Sequence, residues 1–120
     1  MPPPVGNPSP EDLLPLRAVE ALILTMLSAG DRHGYGLRQD IIDHTGGKLQ
    51  LEAGSLYRSI RRLEDAKLVA ETGSPADQDE RRIYYRLTPF GRKVLAAEML
   101  RLRSLVRLAE RHHVIAPARP

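Results

Sequence analysis

The sequence predicts a mainly α-helical protein with a small β-hairpin, in the order ααα-ββ-α. Three observations carry that expectation. Apolar residues recur at helical spacing in the segments around Leu16–Ala29, Gly34–Thr45 and Ala53–Ala66. Leu68–Thr72 and Arg82–Leu87 read as short strands on either side of a polar loop, Gly73–Glu80. Beyond them Leu95, Met99, Leu102, Val106 and Ala109 follow one another at 4-3-4-3 spacing, the seam of a heptad pattern.

Taken in chain order, residues 1–12 form a Pro-rich arm, because Pro2, Pro3, Pro4, Pro8 and Pro10 prevent regular hydrogen bonding. Within it Ser9-Pro10-Glu11-Asp12 is able to cap a short turn, which Pro15 limits. The first helix, Leu16 to Ala29, carries a stripe of Leu16, Val19, Ile23, Met26 and Leu27, widened by Leu22 and Leu24, so burial on more than one side is expected. Gly30 stops it. The second helix places Leu37 and Ile41 on one face with Ile42 beside them, and Gly46-Gly47 ends it. The third buries Leu56, Ile60 and Leu63 at i, i+4 and i+7. The fourth begins with Thr88 as N-cap and Pro89 at the first helical position, where its missing N–H costs nothing, and runs to about His113. The expected organisation is a flexible arm over 1–12, a domain over 13–88, a long helix over 89–113 and a flexible tail over 114–120.

Composition narrows the class. A chain of 120 residues with 42% hydrophobic residues suits one core, and a net charge of +3 permits an anionic partner without demanding one. Cysteine is absent, which excludes disulfides and thiol chemistry. No apolar run reaches the ~18 residues of a membrane span, and the N-terminus lacks the basic start and apolar stretch of a signal peptide. A soluble cytoplasmic protein with no membrane partner is expected. Tyr35, Tyr57, Tyr84, Tyr85 and Phe90 all lie mid-chain, so the core is largely aliphatic.

Function is concentrated in two segments. Between Arg81 and Lys93 there are five basic residues and no acidic one, and Ile83, Tyr85 and Leu87 alternate with Tyr84 and Arg86. That is a strand with an apolar inner and a cationic outer face, which suits the wing of a DNA-binding winged helix. The second and third helices have the size and spacing of a helix-turn-helix. With Leu56, Ile60 and Leu63 inward, Ser55, Arg58, Ser59 and Arg62 are expected on the opposite side, a composition fit for base edges and phosphates in a major groove. Gly54 lets the backbone approach a phosphate, and Tyr35 and Tyr57 each offer it a hydroxyl. Arg61, Arg62, Arg81 and Arg82 are candidate phosphate contacts, with Tyr84 on the outer face of the strand. The bland alternative makes Arg58, Arg61 and Arg62 a solvated face, with Arg61 pairing Glu64 or Asp65. The adjacent cationic strand favours the DNA reading.

His33-Gly34-Tyr35-Gly36-Leu37, Gly54-Ser55-Leu56-Tyr57-Arg58, Leu63-Glu64-Asp65-Ala66-Lys67-Leu68-Val69 and Tyr84-Tyr85-Arg86-Leu87-Thr88-Pro89-Phe90-Gly91 together resemble the PadR family of bacterial transcriptional regulators, over about Leu16 to Lys93. The resemblance implies a winged helix-turn-helix that dimerises through its C-terminal helix and represses transcription, in the compact branch with a single C-terminal helix. It places DNA contacts at Tyr35, Ser55, Tyr57, Arg58, Arg81 and Arg82. It also implies a small aromatic or cationic effector at the dimer interface, although Met99, Leu102 and Val106 would line such a pocket with aliphatic groups only. The sequence departs from the family at Pro75-Ala76-Asp77-Gln78-Asp79-Glu80, an acidic wing tip that phosphate would repel, which shifts wing contact to Arg81 and Arg82.

The last helix is too long for so small a body to cover, so a homodimer is expected, with Leu16, Val19 and Ile23 of the first helix and Leu95, Met99, Leu102, Val106 and Ala109 of the fourth at the interface. Two recognition helices would then read a pseudo-palindrome with half-sites ~34 Å apart. Other signals are discounted. Gly34-Tyr35-Gly36 lacks the third glycine and the preceding strand of a dinucleotide loop. His112-His113 has no partner ligands for a metal, and Asp40 with His44 reads as a surface pair. Asp77, Asp79 and Glu80 lack the spacing of a calcium loop. Neither a cofactor nor a nucleophile–base–acid set is evident, so an enzyme is not expected. The competing reading is a winged-helix interaction module that does not bind DNA.

Overall fold

The structure, a computed structural model, describes residues 8–73 and 83–118. It begins with a 3-10 turn, Pro10–Leu13, in which the Ser9 amide donates to the Asp12 carboxylate at 3.0 Å. Four helices follow: α1 (Ala18–Ser28), α2 (Gly34–His44), α3 (Ala53–Asp65) and α4 (Pro89–Arg111). Each expected helix is present, with ends within about two residues of the sequence reading. Strands β1 (Arg32–His33), β2 (Val69–Thr72) and β3 (Tyr84–Leu87) form one antiparallel sheet in the order β1-β3-β2.

Two strand expectations need correction. The hairpin is one part of a three-stranded sheet, because Arg32 and His33 pair with Tyr85 and Tyr84 across the far edge of β3. Two residues carry no alternation, so nothing in the sequence marked β1. Ile83 does not share the inward face of Tyr85 and Leu87: it precedes the strand and is 50% exposed. Arg81 and Arg82, with the acidic loop before them, lie outside the described residues.

The core is aliphatic. Ile23, Leu24, Leu37, Ile41, Leu56, Ile60, Leu63, Leu68 and Val94 are buried, joined by Tyr85 and Leu87 from β3. α1 packs against α2, α3, α4 and β3, the many-sided burial that its apolar circumference predicts. The junction into α4 is tightly built. The Thr88 hydroxyl accepts from the Gly91 amide at 2.9 Å and donates to the Lys67 carbonyl at 2.7 Å, while the Thr88 amide donates to the Leu68 carbonyl at 3.1 Å. Gly91 is required there. A Cβ on it would run into the Leu68 carbonyl and lie 2.8 Å from the Leu87 side chain.

Candidate nucleic-acid interface

The helix-turn-helix presents a polar ridge. On α3, Leu56, Ser59, Ile60 and Leu63 face inward, leaving Gly54, Tyr57, Arg58, Arg61 and Arg62 exposed and Ser55 half-buried at the edge. Ser59 is a correction: it is 6% exposed, packed on the core side, where its hydroxyl accepts from Arg62 Nη2 at 3.3 Å. It is not on the outer face with Arg58. Arg58 folds back over the first turn of α3, donating to Ser55 Oγ at 3.1 Å and closing over Gly54. The N-cap of α3 is Glu52, whose carboxylate makes no capping hydrogen bond, and the first turn contains no acidic residue, so the N–H groups of that turn lack a side-chain cap and lie beside the Arg58 guanidinium.

α2 aims a second set of groups at the same side. Its N-cap is His33, whose Nδ1 accepts from the Gly36 amide at 3.0 Å. The His33 ring stacks against Tyr35, with centroids 6.5 Å apart, and meets Tyr84 of β3 edge-on at 5.4 Å. Tyr35 is 66% exposed, in the first turn of α2. Tyr57 reaches from α3 across to Gly34, where a Cβ would lie 2.8 Å from its ring, so glycine is what lets the two helices close. Thus Tyr35, Tyr57 and Tyr84 all surround the start of α2, two of them through His33. The sequence reading missed His33. A histidine ahead of Gly-Tyr-Gly at a helix start was the available sign, since an N-cap needs a side-chain acceptor there.

Charge is less one-sided than the sequence suggests. Arg86 pairs with Asp31 at 3.1 Å, and Arg32 with Asp40 at 3.1 Å, so Asp40 belongs to the β1 edge rather than to a pair with His44. Arg62 donates through Nε to Glu20 of α1 at 3.2 Å. Arg61 makes no close ion pair with another described residue, although its charge acts on Glu64 and opposes the rise in that carboxyl's pKa. Behind the ridge, burial and then Glu64 push the Tyr85 hydroxyl up to about 12, and burial followed by Glu71 raises Glu64. Among the described residues no group of acidic or histidine side chains could hold a metal ion.

Residues 23–97 match the PadR-like family of transcriptional regulators. The chain belongs to that family. Solved PadR-like and related regulators share its fold. A transcriptional regulator from Clostridium thermocellum is 26% identical, with a TM-score of 0.68 over 78% of this chain and 87% of that one. A PadR family transcription regulator from Clostridium difficile is 23% identical, with a TM-score of 0.71 over 80% of this chain and 98% of that one. An uncharacterised protein of Lysinibacillus sphaericus is 28% identical over 78 residues, 65% of this chain and 72% of its own length. The protein is therefore a PadR-like regulator with a DNA-binding winged-helix fold. No described helix is long and apolar enough to cross a membrane.

The PadR-like fold also redistributes the expected interface residues. Ile23 is 0% and Leu95 8% exposed. Both fill the protein's own core between α1 and α4, so neither is available to a second copy. Leu16, Val19, Leu102 and Ala109 are half-buried, while Met99 and Val106 are exposed.

Proposed function

We propose that this PadR-like protein is a homodimeric repressor that reads a pseudo-palindromic operator with α3. The observation that carries this is the exposed, cationic ridge that Tyr57, Arg58 and Arg61 form along α3, with Tyr35 beside it in the first turn of α2. Arg58 and Ser55 supply groups for base edges. Tyr35, Tyr57, Arg61 and Arg62 supply phosphate contacts, with Gly54 allowing close approach and Arg81, Arg82 and Tyr84 extending the contact from the wing.

The dimer is supported by the continuity of one stripe along α4. Val94 and Leu95 bury against the body, and Leu102, Leu105, Val106 and Ala109 continue the same face beyond it, with Leu105 and Val106 exposed. A second copy is the occupant that fits, because the stripe keeps a heptad spacing suited to a like helix. An effector at that seam would meet Met99, Leu102 and Val106, an aliphatic lining that supports an apolar ligand rather than a hydrogen-bonded one.

The test is binding to the DNA immediately upstream of its own gene, followed by fluorescence anisotropy at several salt concentrations, with scrambled DNA as control. The expected result is tight binding of two chains per site to the upstream fragment, weakening steeply with salt. Absence of binding to either DNA at low salt would sink the proposal in favour of an interaction module.

A further inference from the structure

Two carboxylates grip adjacent peptide groups where the chain enters α1, and each is also held by an arginine. Glu98 of α4 is 1% exposed. It accepts from the Leu16 amide at 3.1 Å and from both Arg101 Nε at 2.5 Å and Arg101 Nη2 at 3.0 Å. Glu20 accepts from the very next amide, Arg17, at 3.2 Å, and from Arg62 Nε on α3 at 3.2 Å. Arg62 then donates through Nη2 to Ser59. A continuous polar chain therefore runs from α4, through the Leu16–Arg17 link, to the exposed side of α3.

Neither carboxylate serves packing. Glu98 stands on the face that Val94, Leu95 and Leu102 otherwise make apolar, where an aliphatic side chain would fill the space without the cost of burying an anion. Glu20 takes the Arg62 guanidinium at Nε and Ser59 takes it at Nη2, so two partners hold the Nε–Nη2 edge of the group. A planar guanidinium fixed along one edge presents its remaining N–H groups in a set direction, unlike a freely rotating side chain.

We infer that Glu20 is a positioning residue for DNA binding, acting through Arg62, and that Glu98 fixes the peptide on which Glu20 rests. This rests on the reading that α3 meets DNA. Arg62 is then held ready for a phosphate, and its aim depends on how α4 sits against the start of α1.

The experiment is a double-mutant cycle on the full-length protein, reading affinity for a mixed-sequence duplex two helical turns long at fixed low salt. Thermal melts of each variant confirm that it is folded. Glu20→Gln is expected to weaken binding several-fold when Arg62 is present and to change nothing in an Arg62→Ala background. Glu20→Asp keeps the charge but shortens the reach, and is expected to weaken binding in the same way. Glu98→Gln is expected to give a smaller loss that also vanishes without Arg62. Tighter binding by Glu20→Gln, the effect of merely removing an anion, overturns the inference, as does an equal change in both backgrounds or native affinity for Glu20→Asp. Failure of the native protein to bind the duplex is a different result, and it removes the DNA reading itself.

Discussion

Arg58 is the side chain on which sequence preference should turn. It stands at the first exposed turn of α3 and is held there by Ser55 alone, a contact easily exchanged for a base edge. Arg58→Ala is expected to cost ~1–3 kcal/mol at the operator and to leave scrambled-DNA affinity nearly unchanged, read by anisotropy on both. Lys67 gives a stability prediction of opposite sign. Its φ of 67° puts a residue with a Cβ in the left-handed region at the end of α3. Lys67→Gly should therefore stabilise the fold by about 0.5–1 kcal/mol in chemical denaturation. These positions also mark what the sequence could and could not disclose. The exposure of Tyr35 and Arg58 was legible because each lies opposite an apolar stripe. Ser59 was misplaced because it borders that stripe, and a small side chain beside Leu63 is drawn under the helix. Glu20 was invisible: its partner is 42 residues away, and only the packing of α1 on α3 brings them together. Glu98 did leave a sign, three residues after Leu95 on the inward face, where a charge demands a partner.

At the scale of elements, the helices were legible from period and caps, whereas β1 was too short to have a period. α4 behaves as two halves. Its first half is part of the monomer core, which is why Leu95 cannot serve an interface, and its second half carries the exposed stripe. If the proposed dimer forms through this stripe, Val106→Glu is expected to leave the helix folded and to give a monomer by light scattering at concentrations where the native protein scatters as two chains, with loss of operator affinity. The first half is also where pH should act. Arg101 beside Glu98 holds that carboxyl below its ordinary value of 4.5, against the opposing effect of burial. A depressed carboxyl stabilises the fold fully above its ordinary value, and that contribution is lost as pH falls through the lower, folded-state value. The melting temperature of the native protein should accordingly exceed that of Glu98→Gln at neutral pH. The gap should narrow as melts are taken down below pH 4.5.

For the whole molecule, the ionic behaviour of binding should count the cations on the ridge. Removing Arg61 by Arg61→Ala is expected to weaken all duplexes alike and to reduce the slope of log affinity against log salt by about one. The joint at Thr88 has a wider geometrical consequence. Its hydroxyl and amide bind the start of α4 to Lys67 and Leu68, the residues that immediately leave α3. The head and the long helix thus form a single bent lever. Over 23 residues, about 35 Å, a tilt of 5° at this joint swings the far end by roughly 3 Å, close to the ~3.4 Å rise of one base pair. In the proposed dimer, the distance at which two heads would straddle an operator is therefore gauged at one threonine.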